Sequence, residues 1–380
     1  MNTLHLCRSK AWGGREIYSC TVISELKKAG CGVHAVCMSG SRIEGFLKDR
    51  GISCIHLAGD SRLNPASIIR IRSLIHEKRI NAVHAHLSRE IWPASLAIKG
   101  DCGARLFFTN YSGGRSKKDI FHRIVYSRLD GVFTSSALTE RLAGMYPIDP
   151  SKIHLLPYGR RIEEYRPDKK KRAEIRKQHG IGDNEILIGT LVRIDPTKGP
   201  LDLVAYLPYI DKKFREQIRI MIVGEPTRRS KPRFGQTEFD RESEAYSKEL
   251  SGFIEKNGLQ DKVILPGFQD DLTGYLGAMD IFVFPSRHEL YALAVLDAMC
   301  MRLPVIATRV GGNLEQICEN KTGLFYEAGD SRDLARKISL YLADPELRKA
   351  HGEKARRFVM EKHDMDKMIT TLIKHYKNQA

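Results

Sequence analysis

Glu289 and Asp297 stand eight residues apart in the stretch PSRHELYALAVLDAMCMRLPVIATRVGGNLE, residues 285–315, which also holds a strand-to-helix junction and a Gly-Gly turn. Residues 281–284 are an apolar run of the kind that forms a buried parallel strand, and a helical pattern begins near His288. Such a junction presents free backbone N–H groups, and the helix dipole adds positive potential. The amides of Tyr291, Ala292 and Leu293 are therefore expected to cradle a pyrophosphate, with Glu289 at the mouth of the site. Asp297, about two helical turns on, is placed to accept hydrogen bonds from a ribose. A buried strand followed by an ordinary helix is the plain alternative for any single pair of acids. The full string points instead to a nucleotide site.

Further groups of the right chemistry lie elsewhere. Arg193 and Lys198, in GTLVRIDPTKG, follow another apolar run. A planar fork and a point charge there suit a diphosphate leaving group, whereas exposed loop cations otherwise are merely solvated. Near the N-terminus, Trp12, Gly13, Gly14, Arg15 and Glu16 make a glycine turn that opens a helix and lets backbone approach a phosphate or sugar; most such turns are only turns. In VHAHLSRE, alternation puts His84 and His86 on one face of a strand, and the strand-end position of His86 sets a functional role against a structural one.

The 285–315 segment resembles the signature of the retaining, nucleotide-sugar-dependent glycosyltransferases of family four, the group 1 glycosyltransferases, built on the two-domain GT-B fold. That pattern is Pro-Ser, a Glu, seven residues, a second Glu, Ala-Met, then Gly-x-Pro-Val-Ile-Ala and Gly-Gly-x-x-Glu. This chain keeps Pro285, Ser286, Glu289, Ala298, Met299, Pro304 to Ala307, Gly311, Gly312 and Glu315. It has Asp297 for the second Glu, Leu290, Tyr291 and Ala292 for the usual Gly-Phe-Gly, and Arg302 for the Gly before Leu303. Arg193 and Lys198 match the family's Gly-Arg-Leu-x-x-x-Lys-Gly loop, and Gly13, Gly14 and Glu16 its Gly-Gly-x-Glu loop. LPYGRRIEEYRP, residues 156–167, matches the junction between the two domains. Where the family often has Thr-x-His, this chain reads Thr109, Asn110, Tyr111.

The resemblance covers nearly the whole chain. It implies transfer of a sugar from a nucleoside diphosphate to an acceptor hydroxyl with retention, with the nucleotide sugar as co-substrate and no metal or other cofactor. Glu289 would hold donor-sugar hydroxyls, Asp297 the ribose, Arg193 and Lys198 the diphosphate and Gly14 the distal phosphate. His86 is a catalytic candidate from its strand-end position, and Tyr111, standing where the family's His lies near the reacting sugar, would donate a hydrogen bond to a sugar hydroxyl. The first domain would hold the acceptor, and its basicity favours a phosphorylated or lipid-linked glycan acceptor, as in bacterial lipopolysaccharide core or surface-glycan synthesis. Two other readings stay open: the same fold with a small soluble acceptor, and a non-catalytic nucleotide-sugar-binding subunit.

Positioning these groups requires short apolar strands alternating with helices. Strands are expected at 2–7, 32–38, 81–86, 105–109, 131–135 and 153–157, with helices such as 16–29 and 64–79 between them. A charged break at 158–180 precedes a second series at 186–192, 218–223, 262–265, 280–284 and 303–308. The expected fold class is α/β, two doubly wound Rossmann-like domains facing a cleft. Residues 1–160 would form an acceptor domain, 161–360 a donor domain, and 361–380 a helix crossing back to the first.

Composition agrees. A chain of 380 residues with 42% hydrophobic content suits two soluble domains. The eight cysteines show no C-x-x-C pairing, so neither zinc nor a disulfide framework is indicated, and a reducing, cytoplasmic location is expected. No long apolar run marks a membrane span. A net charge of +16, from 62 Lys+Arg against 46 Asp+Glu, favours anionic partners, and with no nucleic-acid-binding motif these are phosphorylated substrates or an anionic membrane surface. In RSKKDIFHRIVYSR, residues 115–128, Ile120, Phe121, Ile124 and Val125 follow helical spacing, with Lys117, Lys118, Arg123 and Arg128 elsewhere around the wheel. A core-facing helix with a solvated basic face is preferred here over a helix lying on anionic lipid.

Overall fold

A computed structural model describes residues 1–59, 61–98, 100, 103–111, 119–230 and 237–378. The chain divides into two compact units, Met1–Gly159 with Met365–Ala380, and Arg160–Asp364.

The first unit runs β1 (Asn2–Leu6), α1 (Gly14–Lys28), β2 (Gly32–Val36), α2 (Arg42–Lys48), β3 (Ser53–Ile55), α3 (Pro65–Glu77), β4 (Ala82–Ala85), α4 (Ile91–Ala97), β5 (Arg105–Asn110), α5 (Ile120–Tyr126), β6 (Gly131–Thr134), α6 (Ala137–Ala143) and β7 (Ile153–Leu155). Its sheet has the order β3-β2-β1-β4-β5-β6-β7, and every pairing is parallel. Local chemistry sets the helix starts: Asn64 caps α3 by accepting from the Ser67 amide, with Pro65 at the first helical position. Period-two alternation sorts the two sheet faces. Leu4, Leu6, Val36, Val83, Phe108 and Val132 form one core with Ile71, Leu74, Ile91 and Val125 of the covering helices. Each such buried side chain contributes roughly 1.5–3 kcal/mol. The other face presents Thr3, His5, His84 and His86, all buried.

The second unit runs α7 (Lys169–Gln178), β8 (Ile186–Leu191), α8 (Asp202–Ala205), α9 (Lys212–Arg215), β9 (Ile218–Val223), β10 (Arg228–Ser230), β11 (Thr237–Phe239), α10 (Arg241–Lys256), β12 (Val263–Gly267), α11 (Leu272–Ala278), β13 (Ile281–Phe284), α12 (Leu293–Cys300), β14 (Val305–Thr308), α13 (Asn313–Gln316), β15 (Gly323–Tyr326), α14 (Ser331–Ala343) and α15 (Pro345–Lys362). The main sheet is β12-β9-β8-β13-β14-β15, again all parallel, and β10 pairs with β11 antiparallel. The last helix, α16 (Met365–Tyr376), belongs to the first unit, where the His375 carbonyl accepts from Arg105 at 2.8 Å and the Tyr376 hydroxyl meets His84 Nδ1. The two units are the α/β folds that the sequence indicates.

Some expectations need correction. Strands β3 and β15 and the β10–β11 hairpin were not anticipated, and α12 starts at Leu293, not near His288. The basic helix is not core-facing along Ile120, Phe121 and Ile124: they are 60%, 67% and 49% exposed, and only Val125 and Tyr126 of α5 are buried. Arg128 does not join a solvated basic face, since its guanidinium donates to the Ser95 carbonyl at 2.9 Å. Lys117 and Lys118 lie outside the described residues. Cys7, Cys20, Cys31, Cys37, Cys54, Cys300 and Cys318 are free thiols, while Cys102 lies outside the described residues.

Candidate functional site

The order of the second sheet reverses at β8 and β13, which are neighbours, with the chain running outward on either side. In an open parallel sheet, ligands settle at the carboxyl ends of the strands flanking such a reversal. The loops leaving β8 and β13 carry Lys198 and Glu289, which meet there: Nζ lies 2.7 Å from Oε2, with the side chains only 18% and 13% exposed. Glu289 Oε1 meanwhile accepts from the amides of Leu290 at 3.0 Å and Tyr291 at 3.3 Å. The result is an anion site of one cation and two amides, holding a carboxylate of the protein itself.

Groups not foreseen from the sequence shape these loops. Asp195, buried, accepts from the amides of Thr197 at 3.0 Å and Lys198 at 3.2 Å, which turns the Lys198 side chain toward β13. Gly199, at φ +58°, sits so near Pro285 that a β-carbon would lie 2.6 Å from its carbonyl oxygen. Gln316, buried, accepts from the Ala292 amide at 2.9 Å and donates to the Ala292 carbonyl at 2.7 Å. Gly312 packs under the same loop, where a β-carbon would fall 1.9 Å from the Leu290 carbonyl oxygen. Its service is to let two backbones touch.

The expected amide cradle therefore differs from what the structure holds. The Tyr291 and Ala292 amides have side-chain acceptors in Glu289 and Gln316, and Leu293 is the first residue of α12. Asp297, expected on a ribose, is held by Oδ1 between Arg160 Nε at 2.6 Å and the Tyr165 hydroxyl at 2.7 Å. The Arg160 and Asp297 side chains are only 8% and 11% exposed. Arg193 lies at the rim, donating to Thr227 Oγ1 at 3.1 Å and 3.5 Å from Asp195. Glu315 is exposed on α13.

In the first unit, Gly13 caps α1 with an extended backbone, and Gly14 is exposed at its first position. Buried Glu16 takes the Ser9 hydroxyl at 3.0 Å and pairs with Arg15, so it braces the glycine loop. Asn110 is buried at the end of β5. Tyr111 follows, its hydroxyl 2.9 Å from His86 Nδ1, and His86 Nε2 lies 3.1 Å from Nδ1 of His5. His5 was missed, although β1 and β4 pair His5 with His84 directly. Glu90, fully buried, was missed as well; it accepts from the Arg8 amide at 2.5 Å.

His5, His84 and His86 lie close enough together to suggest a metal triad. Their orientation does not fit one. The His84 and His86 rings stack with planes 9° apart and centroids 4.5 Å apart, so their in-plane lone pairs run side by side and cannot converge on one ion. Burial lowers the His5 pKa to about 3 and holds His84 and His86 well below the usual range, while burial raises Glu90 to about 7.

These shifts predict acid lability. Unfolded imidazoles titrate near 6.5. As pH falls below that value the unfolded chain takes up protons that the buried rings refuse, so their stabilisation is complete above about pH 6.5 and lost below it. Glu90 works the other way, gaining its proton in the folded state as pH falls through about 7. Three imidazoles outweigh one carboxyl, and the net loss is roughly 3 kcal/mol per pH unit between about pH 6 and 5. Urea midpoints of the first unit's transition should fall steeply over that interval; a midpoint that stays level or rises contradicts the account.

Two family models match the chain. Residues 171–358 match "Glycosyl transferases group 1" and residues 12–164 match "Glycosyltransferase Family 4". The chain belongs to the group 1 glycosyltransferases. It is 36% identical over 115 residues to the lipopolysaccharide core biosynthesis mannosyltransferase LpcC of Rhizobium leguminosarum, a match that spans 30% of this chain and 33% of that protein. It is 24% identical over 378 residues to a D-inositol 3-phosphate glycosyltransferase of Pseudarthrobacter chlorophenolicus, covering 90% of this chain and 85% of that one. Among solved structures, Anabaena Alr3699/HepE in complex with UDP superposes with a TM-score of 0.85 at 18% identity over 100% of both chains, which shows a shared GT-B fold.

Proposed function

We propose that this group 1 glycosyltransferase moves a sugar from a nucleoside diphosphate to a hydroxyl of a glycan or lipid-linked acceptor, with retention at the anomeric carbon and without a metal. The observation that carries the reading is the Lys198–Glu289 pair at the carboxyl ends of β8 and β13, where a cation and two amides grip a carboxylate. Phosphate oxygens call for the same donors. On this reading the diphosphate replaces the carboxylate on Lys198 and on the amides of Leu290 and Tyr291, and Glu289 turns to the donor-sugar hydroxyls. Charge that develops on the leaving phosphate is stabilised by Lys198 and, from the rim, Arg193, so that cations of the chain do what a metal does elsewhere. UDP is bound by HepE, and mannosyl transfer in lipopolysaccharide core synthesis is the role named for LpcC; both support a nucleotide-sugar donor and a surface-glycan acceptor. A thermal-stability screen over UDP, GDP, ADP and CDP sugars tests this. One base should stabilise by about 2.7 kcal/mol at a hundred times its dissociation constant. Equal stabilisation by nucleosides lacking phosphates would contradict it.

The exposed apolar face of α5 favours an acceptor presented at the cytosolic surface of a membrane. Ile120, Phe121 and Ile124 stand in solvent beside exposed Arg123 on a chain of net charge +16. No helix of the described residues is long and apolar enough to cross a bilayer, so attachment through α5 would be peripheral. In flotation with anionic vesicles the protein should rise at low salt and release as salt passes the physiological range, because each basic residue adds about 1 kcal/mol, screened by salt. Phe121→Ser with Ile124→Ser should abolish flotation and leave folding intact. Unchanged flotation would return the acceptor to a small soluble molecule.

A further inference from the structure

The inward face of the first sheet carries an unbroken line of polar groups. The Tyr111 hydroxyl lies 2.9 Å from His86 Nδ1, His86 Nε2 lies 3.1 Å from His5 Nδ1, and His5 Nε2 lies 3.2 Å from Thr3 Oγ1. Thr3 Oγ1 in turn donates to the Gly32 carbonyl at 3.3 Å. Thr3, His5 and His86 are fully buried, and only Tyr111 retains some exposure.

A carbonyl oxygen can only accept, so that end of the line has one direction. The Thr3 hydroxyl gives its single proton to Gly32 and must receive from His5. A neutral imidazole bears one N–H and one bare nitrogen. His5 therefore carries its proton on Nε2 and is bare at Nδ1, which requires His86 to donate from Nε2. The bare Nδ1 of His86 is left to take the Tyr111 hydroxyl proton. Burial keeps both rings neutral, as the strongly lowered basicity of His5 and His86 reflects.

We infer that Thr3 and His5 are positioning residues that fix the direction of this line, turning the Tyr111 hydroxyl proton inward so that Tyr111 meets substrate only as a hydrogen-bond acceptor. This reverses the donor role expected from the sequence. It rests on the expectation, carried by the family resemblance, that Tyr111 lies beside the reacting sugar. It makes Tyr111 a specificity-determining residue: the substrate group it meets is a hydroxyl, and an analogue carrying a carbonyl or ether oxygen there is rejected, because two acceptors face each other.

The direction can be read without any ligand, from the ring-nitrogen resonances of the full chain labelled with 15N-histidine, assigned by their loss in His5→Asn and His86→Asn. Expected are neutral rings with the proton on Nε2 for both His5 and His86 from pH 6 to 8. A proton on Nδ1 of His86, or an imidazolium signal from either ring at neutral pH, overturns the inference. Should an Asn variant fail to fold, Thr3→Val and Thr3→Ser serve instead. Valine removes the anchor and should redistribute the His5 and His86 tautomers, serine should restore them, and identical spectra for all three overturn the role of Thr3. Donor consumption by Tyr111→Phe separates this from the functional reading. A loss of about tenfold or more supports Tyr111 as a substrate contact, whereas wild-type turnover with the tautomers as expected overturns the substrate contact and leaves only the direction.

Discussion

Glu289→Gln should lose turnover by on the order of a hundredfold or more while binding nucleoside diphosphate more tightly than the parent chain. The two effects have one cause. Glu289 occupies Lys198 and the amides of Leu290 and Tyr291, and on the proposed reading the diphosphate displaces it from all three. Glutamine removes the charge that competes for Lys198 and that repels the incoming phosphates, so the diphosphate arrives with less opposition. It also removes the carboxylate that the donor-sugar hydroxyls would meet as the glycosidic bond breaks. Turnover assayed from released nucleoside diphosphate, with affinity measured by calorimetry, gives both quantities. Parental turnover removes Glu289 from the chemistry, and weakened diphosphate binding removes its capping role.

The second large effect is on stability. Asp297→Ala should destabilise the second unit by about 3–5 kcal/mol, because it removes the carboxylate that pairs with the buried Arg160 guanidinium and accepts from the Tyr165 hydroxyl. The cost is that of breaking a buried ion pair, so Arg160→Ala should cost a similar amount from the other side. Asp297→Asn should cost less, since its amide oxygen still accepts from Arg160 and Tyr165. Urea midpoints of the three variants rank these directly. If Asp297→Ala unfolds at the parental midpoint while losing nucleotide affinity, the carboxylate serves the ribose and not the fold.

How much of this was legible in the sequence follows from how local each signal is. Strand β9 was placed at its observed limits because IRIMIV is rich in β-branched residues. Strand β3 was missed because SCI, at the edge of the sheet, has three residues and almost no pattern. Glu289 and Lys198 were found by type and spacing, but their contact links positions 91 residues apart and shows only in the folded sheet. The same holds for Arg160, present in the sequence reading only as part of the domain junction at 156–167, whose partner Asp297 lies 137 residues on. Residues 288–292 read as helical from composition. In the structure they are loop, because Glu289 turns onto the amides of Leu290 and Tyr291 and Gln316 takes both backbone groups of Ala292. The α5 face misled for a different reason: spacing shows that a helix has an apolar stripe, not what covers it.

The proposed diphosphate site at the carboxyl ends of β8 and β13 centres on Lys198. Its most direct measurement is calorimetric titration of the parent and Lys198→Ala with the selected nucleoside and with its diphosphate. Lys198→Ala should lose at least tenfold in diphosphate affinity, about 1.4 kcal/mol, and keep its affinity for the nucleoside. Equal losses for the two ligands, or none for the diphosphate, would contradict the account.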